Sequence, residues 1–221
     1  MTRPDLFAGE PAPREPQQER SRGRRERVLR AAMERFAADG YERASIRAIA
    51  GRAGVASGAV YQFFRSKREL LLAAMDALLS HLESFSPPPM GNSRTLPADL
   101  EEFLVDVFAR EAPFVGVYRA WREASLVDER ITRLDRIIHV WTAARIHGLF
   151  TRLAALPGAR AGLDLAVLAE LWDRFFWDLL ADPPSDSLRA AQSIAKTLSH
   201  TFREEAAGRA RGASGRRRTR R

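Results

Sequence analysis

The chain has 221 residues, of which 45% are hydrophobic and 29% charged, with a formal net charge of +8 and no cysteine. That length suits a small domain joined to a larger one, and the lack of cysteine excludes disulfides, thiol nucleophiles and thiolate metal sites while fitting a reducing interior. The positive balance points to a polyanionic partner, nucleic acid or an acidic membrane surface, without choosing between them.

Residues 1–21 carry Pro, Glu, Gln and Arg with no apolar h-region, so they read as a disordered arm and not as a secretory signal. From Arg22, Val28, Leu29, Ala32, Phe36 and Ala37 form one helical stripe, which Asp39-Gly40 stops. Ser45 caps a short helix carrying Ile46, Ile49, Ala50 and Ala53, and a second short helix follows Gly54-Val55. Ser66 and Glu69 stand at capping-box spacing and open a long helix through Leu70, Leu71, Met75, Leu78 and Leu82, closed by Pro87-Pro88-Pro89. Further helices are predicted at Leu96–Ala112, Phe114–Leu126, Glu129–Leu156, Leu163–Ala181 and Ser187–Ala206. Residues 207–221 are rich in Arg, Gly and Ala and read as a disordered basic tail; added phosphate attraction and a plain solvated tail stand equal for it. No strand alternation or internal repeat appears, so the expected fold is all-α. No apolar run approaches the roughly 20 residues that span a bilayer, and a soluble cytoplasmic protein is the expectation.

Two short helices meeting at a wide angle need a tight turn and a small buried contact. Ala50 lets the second helix cross close, Gly54 accepts positive φ in the turn, and Val60 returns to a shared core with Ile46, Ile49 and Val55. This leaves the outward face of Ser57–Phe63 free for a major groove about 12 Å wide.

The runs Ser45-Ile46-Arg47-Ala48-Ile49-Ala50, Ala53 to Phe64 and Ser66-Lys67-Arg68-Glu69-Leu70 resemble the DNA-binding region of the TetR (tetracycline-repressor) family, over residues 24 to about 75. The resemblance implies an N-terminal three-helix helix-turn-helix unit, placed at residues 22–68, and a helical ligand-binding and dimerisation domain at residues 69–206. It implies that Tyr61 and Lys67 hold DNA phosphates and that Ser57, Gly58, Gln62 and Phe63 lie against the groove. Ser45, Arg47 and Ala59 belong to the same candidate DNA-binding set. The chemistry agrees: a phenol, an ammonium and close-approaching backbone suit phosphate, and Gln62 can read adenine bidentately. Relatives often carry Ser or Thr where this chain has Ala56 and Ala59; Ser57 is then the candidate replacement cap.

One such unit reads few base pairs, so a dimer is expected, with units about 34 Å apart. Leu188, Ala191, Ala195, Leu198 and Phe202 recur at near-heptad spacing, and Leu168 and Phe175 lie on the preceding helix; a four-helix dimer interface is the reading the resemblance implies, with an intrachain core as its alternative. Phe103, Tyr118, Trp121, Trp141, Phe150, Trp172 and Phe176 are candidates to line an apolar ligand cavity or to be ordinary core. Arg145 interrupts an apolar stripe, so it snorkels, pairs with a carboxylate such as Asp173, or meets an anionic ligand. His81, His139, His147 and His200 are scattered, and no metal, cofactor or catalytic constellation is expected. The expected function is a repressor freed from an inverted-repeat DNA operator by a small, mainly apolar effector. An activator, a ligand-binding protein without DNA contact, and a basic membrane-surface protein are the alternatives; the lack of a large basic amphipathic anchor counts against the last.

Overall fold

Side-chain caps decide where most helices begin. The computed structural model describes residues 2–9, 19–85 and 95–203. Among these lie α1 (Glu19–Arg43), α2 (Ile46–Ala53), α3 (Ser57–Tyr61), α4 (Lys67–Ser84), α5 (Leu96–Glu111), α6 (Val115–Ser125), α7 (Glu129–Ala154), α8 (Leu165–Ala181) and α9 (Ser187–Phe202), with one 3₁₀ turn at Ala112–Phe114. Ser45 Oγ accepts the Ala48 N–H at 3.1 Å and Ser66 Oγ accepts the Glu69 N–H at 3.1 Å. Asp128, Asp164 and Asp186 do the same at the starts of α7, α8 and α9, each satisfying an N–H that a helix start otherwise orphans. Glu69 completes its cap by accepting the Arg65 N–H at 2.6 Å. Among the described residues no strand forms, only one isolated bridge between Ala159 and Arg203. The all-α expectation is met, each predicted helix falling within a few residues of its observed ends.

Gly40 breaks α1 with φ 76° and ψ 173°, as the predicted stop requires, and the chain turns there. The helices then pack as two connected groups. α1 lies against α2, α4 and α6; α6 in turn contacts α7 and α8, while α5 pairs with α9 and α7 with α8. Val28, Phe36, Ile49, Val60, Phe64 and Leu70 form the core of the first group, and it runs without interruption into Leu78, Val117, Trp121 and Ile138.

Residues 2–9 correct the expectation of a disordered arm. Leu6 is fully buried. Arg3 donates to the Asp76 carboxylate at 2.6 Å and carbonyl at 3.1 Å, and Arg130 donates to the Leu6 and Ala8 carbonyls at 3.4 and 2.9 Å. One apolar side chain held between two arginine contacts anchors a segment whose average composition is polar. Residues 10–18, Pro87-Pro88-Pro89, the predicted last residues of α9 beyond 203, and the basic tail lie outside the described residues.

Candidate nucleic-acid interface and adjoining cavity

α2 and α3 cross on Gly54, whose φ of 67° and ψ of 38° place it in the left-handed region and close α2. Ile49, Ala50 and Val60 are buried beneath the crossing. Ser45, Arg47, Gly58, Tyr61 and Gln62 are exposed and Ser57, Ala59 and Lys67 half-buried, so eight of the nine candidate DNA contacts are at least partly open to solvent. Phe63 is the correction: it is 6% exposed, because α3 ends at Tyr61 and the Phe63 and Phe64 amides both bond back to the Val60 carbonyl, at 3.0 and 2.9 Å, turning both rings inward. Ser57 is also not the cap. Ala56 occupies that position, with no side-chain hydrogen bond to the α3 amides.

The last residues of α1, just past its break at Gly40, are gripped from two sides. The Lys67 ammonium donates to the Tyr41 and Glu42 carbonyls at 2.8 and 3.0 Å and stands 4.5 Å from the Tyr41 ring centre. The Glu123 carboxylate accepts the amides of the same two residues, at 2.6 and 3.1 Å. Burial is the main cause that pushes the Tyr41 phenol up, aided by Asp128. Glu123 therefore fastens α6 to the start of the helix-turn-helix, a role with no motif to betray it in sequence.

A cavity of about 490 Å³ opens among α4, α5, α7 and α8, within the ordinary size of small-molecule sites. Phe103, Tyr118, Trp141, Arg145, Phe150 and Phe176 line it, joined by Leu82, Phe85, Thr142, Arg152, Asp173 and Trp177. Trp121 and Trp172 are corrections. The Trp121 indole is 1% exposed and donates to Asp135 at 2.9 Å, away from the cavity, and Trp172 faces a shallow groove between α8 and α9. Leu82, Phe85, Asp173 and Trp177 are brought to the wall by tertiary geometry.

Arg145 does not pair with Asp173. Its Nη2 donates to the Leu82, Phe85 and Glu83 carbonyls at 2.9, 3.0 and 3.5 Å, and its guanidinium lies 5.1 Å from the Trp141 ring centre. Asp173 instead meets His139 Nδ1 at 2.5 Å and accepts the Thr142 hydroxyl. Burial pulls the His139 imidazole down, but the hydrogen bond and charge of Asp173 outweigh it and its pKa is raised. At the far side Tyr118 donates to buried Glu111 at 3.0 Å, and burial pushes the Glu111 carboxyl up to about 7. Burial also lowers the His81 pKa, and its Nε2 stands 3.5 Å from Glu111.

The α9 stripe is a further correction. Ala191, Ala195, Leu198 and Phe202 are buried within the single chain, since α9 packs on α5, so the near-heptad spacing marks intrachain core. Of the dimer candidates, Leu188 and Phe175 are exposed and Leu168 is half-buried. The apolar face left open runs along α8 through Val167, Leu171 and Phe175, beside the groove floored by Ser193 and Thr197. Among the described residues no group of three or more His, Asp or Glu side chains is set to hold a metal, and no helix is long and apolar enough to cross a membrane.

A short exposed helix held on a glycine-turned partner, with a long helix leading from it to a cavity, defines a helix-turn-helix regulator. The pattern of the tetR family of bacterial regulatory proteins matches residues 28–74. The chain is 31% identical over 118 residues to the uncharacterised transcriptional regulator TtgW of Pseudomonas putida, covering 52% of this chain and 88% of TtgW. It is 28% identical over 185 residues to the regulator SrpR, also of Pseudomonas putida, covering 72% of this chain and 86% of SrpR. The fold is also that of SmeT in its complex with triclosan, with a TM-score of 0.60 at 20% identity over 83% of this chain and 93% of SmeT. The chain belongs to the tetR family of transcriptional regulators.

Proposed function

We propose that the chain is a homodimeric repressor that leaves an inverted-repeat operator when a small, mainly apolar molecule fills the cavity. The observation that carries this reading is the span of α4: it begins at Lys67, six residues after the end of α3, its last turn supplies Leu82 to the cavity wall, and Phe85, the residue that caps it, lines the same wall. A ligand that prefers one position of that last turn shifts the separation of two paired α3 helices, and a coupling of about 1–3 kcal/mol is enough to change operator occupancy. Residues 22–68 would act as the DNA-binding unit and 69–206 as the ligand and dimer unit.

Ser45, Arg47, Ser57, Gly58, Ala59, Tyr61, Gln62 and Lys67 form the proposed DNA surface. Lys67 spends two donations on carbonyls, which leaves its third ammonium hydrogen for a phosphate. The dimer would pair through the open α8 face at Leu171 and Phe175. Support comes from relatives too: KstR of Rhodococcus jostii, 26% identical, is named a repressor, and SmeT is described as the repressor of a multidrug efflux pump. Selecting fragments from a random DNA pool with the purified protein tests the reading. The expected result is a two-fold symmetric consensus whose affinity falls when the cavity is filled; a pool without enriched sequence contradicts it.

A further inference from the structure

The charge on the cavity wall is lopsided. Its carboxylate, Asp173, is 2% exposed and has both oxygens engaged, one by His139 and the other by Thr142, whose hydroxyl oxygen also accepts the Trp177 indole N–H at 3.4 Å. With both oxygens so engaged, Asp173 offers no unspent acceptor to a ligand, and its charge and hydrogen bond raise the His139 pKa against the lowering effect of burial. Arg145 and Arg152 also line the wall. They stand seven residues, two helical turns, apart on α7, which places them on one face. Neither has a carboxylate partner among the described residues.

Arg145 is only partly used. All of its hydrogen bonds run through Nη2 to main-chain carbonyls of Leu82, Glu83 and Phe85, so the Nε and Nη1 hydrogens remain. A guanidinium presents donors in a fixed fork that matches the two oxygens of a carboxylate, and a charged acceptor outcompetes neutral carbonyls for it. Around this group the wall is aromatic and aliphatic, with Phe85, Phe103, Trp141, Phe150 and Phe176.

On the reading that this cavity is the effector site, we propose that it takes an aromatic or aliphatic monocarboxylate whose anionic end is bound by Arg145. The carboxylate then draws the guanidinium from the three carbonyls that close α4. Ligand charge is thereby converted into release of the last turn of the helix that leads to α3. Arg152 adds field without a fixed contact.

Calorimetric titration of the full-length protein at neutral pH with three probes tests this: 1-naphthaleneacetate, its neutral amide, and 2-(1-naphthyl)ethylammonium. The acetate is expected to bind about tenfold more tightly than the amide, and the ammonium most weakly. Arg145→Gln is expected to bring acetate down to the level of the amide in the same variant, with an unchanged far-UV circular dichroism spectrum showing that it is folded; Arg145→Lys should retain part of the preference. Equal or better binding of the amide or the ammonium overturns the proposal and leaves the cavity reading standing, as does an acetate preference that survives Arg145→Gln. Should Arg145→Gln lose the amide as well, the ranking in the wild type and in Arg145→Lys decides. Silence from all three probes counts against the effector cavity itself.

Discussion

Gly116 of α6 rests directly on Ala37 of α1: a β-carbon placed on Gly116 would stand 2.6 Å from the Ala37 Cα and 2.7 Å from its backbone nitrogen. Two helices meet there backbone to backbone, at the junction between the helix-turn-helix and the cavity-bearing helices. Gly116→Ala must therefore push the helices apart, and a stability loss of about 1–3 kcal/mol is expected by urea denaturation. Adding Ala37→Gly should rescue only part of it, because the closest obstacles include main-chain atoms that no substitution removes.

Leu6 and Arg3 separate burial from surface charge in the N-terminal segment. Leu6→Ala, at a fully buried site, should cost about 2–3 kcal/mol in thermal or urea unfolding. Arg3→Ala breaks the ion pair with Asp76, whose side chains are 27% and 34% exposed, and should cost under about 1 kcal/mol. Equal costs would mean that charge, not Leu6, holds the segment.

Glu111 gives stability a definite pH dependence. Its carboxyl moves from 4.5 when unfolded up to about 7 in the fold, because burial disfavours its charge. The folded state thus holds the proton more tightly, and the stability it contributes is complete below about pH 4.5 and lost as pH rises to about 7. Glu111→Gln, which stays neutral, should match the wild type near pH 4 and exceed it near pH 8 by about 1–3 kcal/mol, since each pKa unit corresponds to about 1.4 kcal/mol. Melting temperatures at the two pH values check both the sign and the window.

Two leucines distinguish the open apolar face from the intrachain core. Leu171 is 60% exposed and Leu198 2%. Leu171→Glu should yield a folded monomer in analytical ultracentrifugation, whereas Leu198→Glu should fail to fold, since an unpaired charge buried there has no partner. A dimeric Leu171→Glu would move the interface elsewhere.

The helix-turn-helix was legible because its constraints are local. Ser45 and Ser66 cap within three residues, Gly54 answers a backbone need at its own position, and Ala50 and Val60 meet across a short turn. What lay hidden depends on pairs distant in sequence. Phe63 continues the register of α3 on paper, yet the helix stops two residues earlier and turns it inward. The α9 stripe has the spacing of an interface, but spacing cannot say which helix covers it, and α5 does. Arg145 shows the same limit: an arginine inside an apolar stripe announces a special partner, and α4's closing carbonyls, 60 or more residues away, were as plausible as any carboxylate. Leu6 was obscured by averaging, a single anchor among charged and proline-rich neighbours.

Hydroxyl-radical footprinting on a fragment selected by the purified protein tests the paired α3 surface most directly. The expected pattern is two symmetric protected patches on one face of the duplex, about 34 Å apart or a multiple of it, both lost in Gln62→Ala combined with Tyr61→Phe. Protection of a single unpaired patch, or the same protection on unrelated sequence, would contradict a two-fold grip by Ser57 to Gln62.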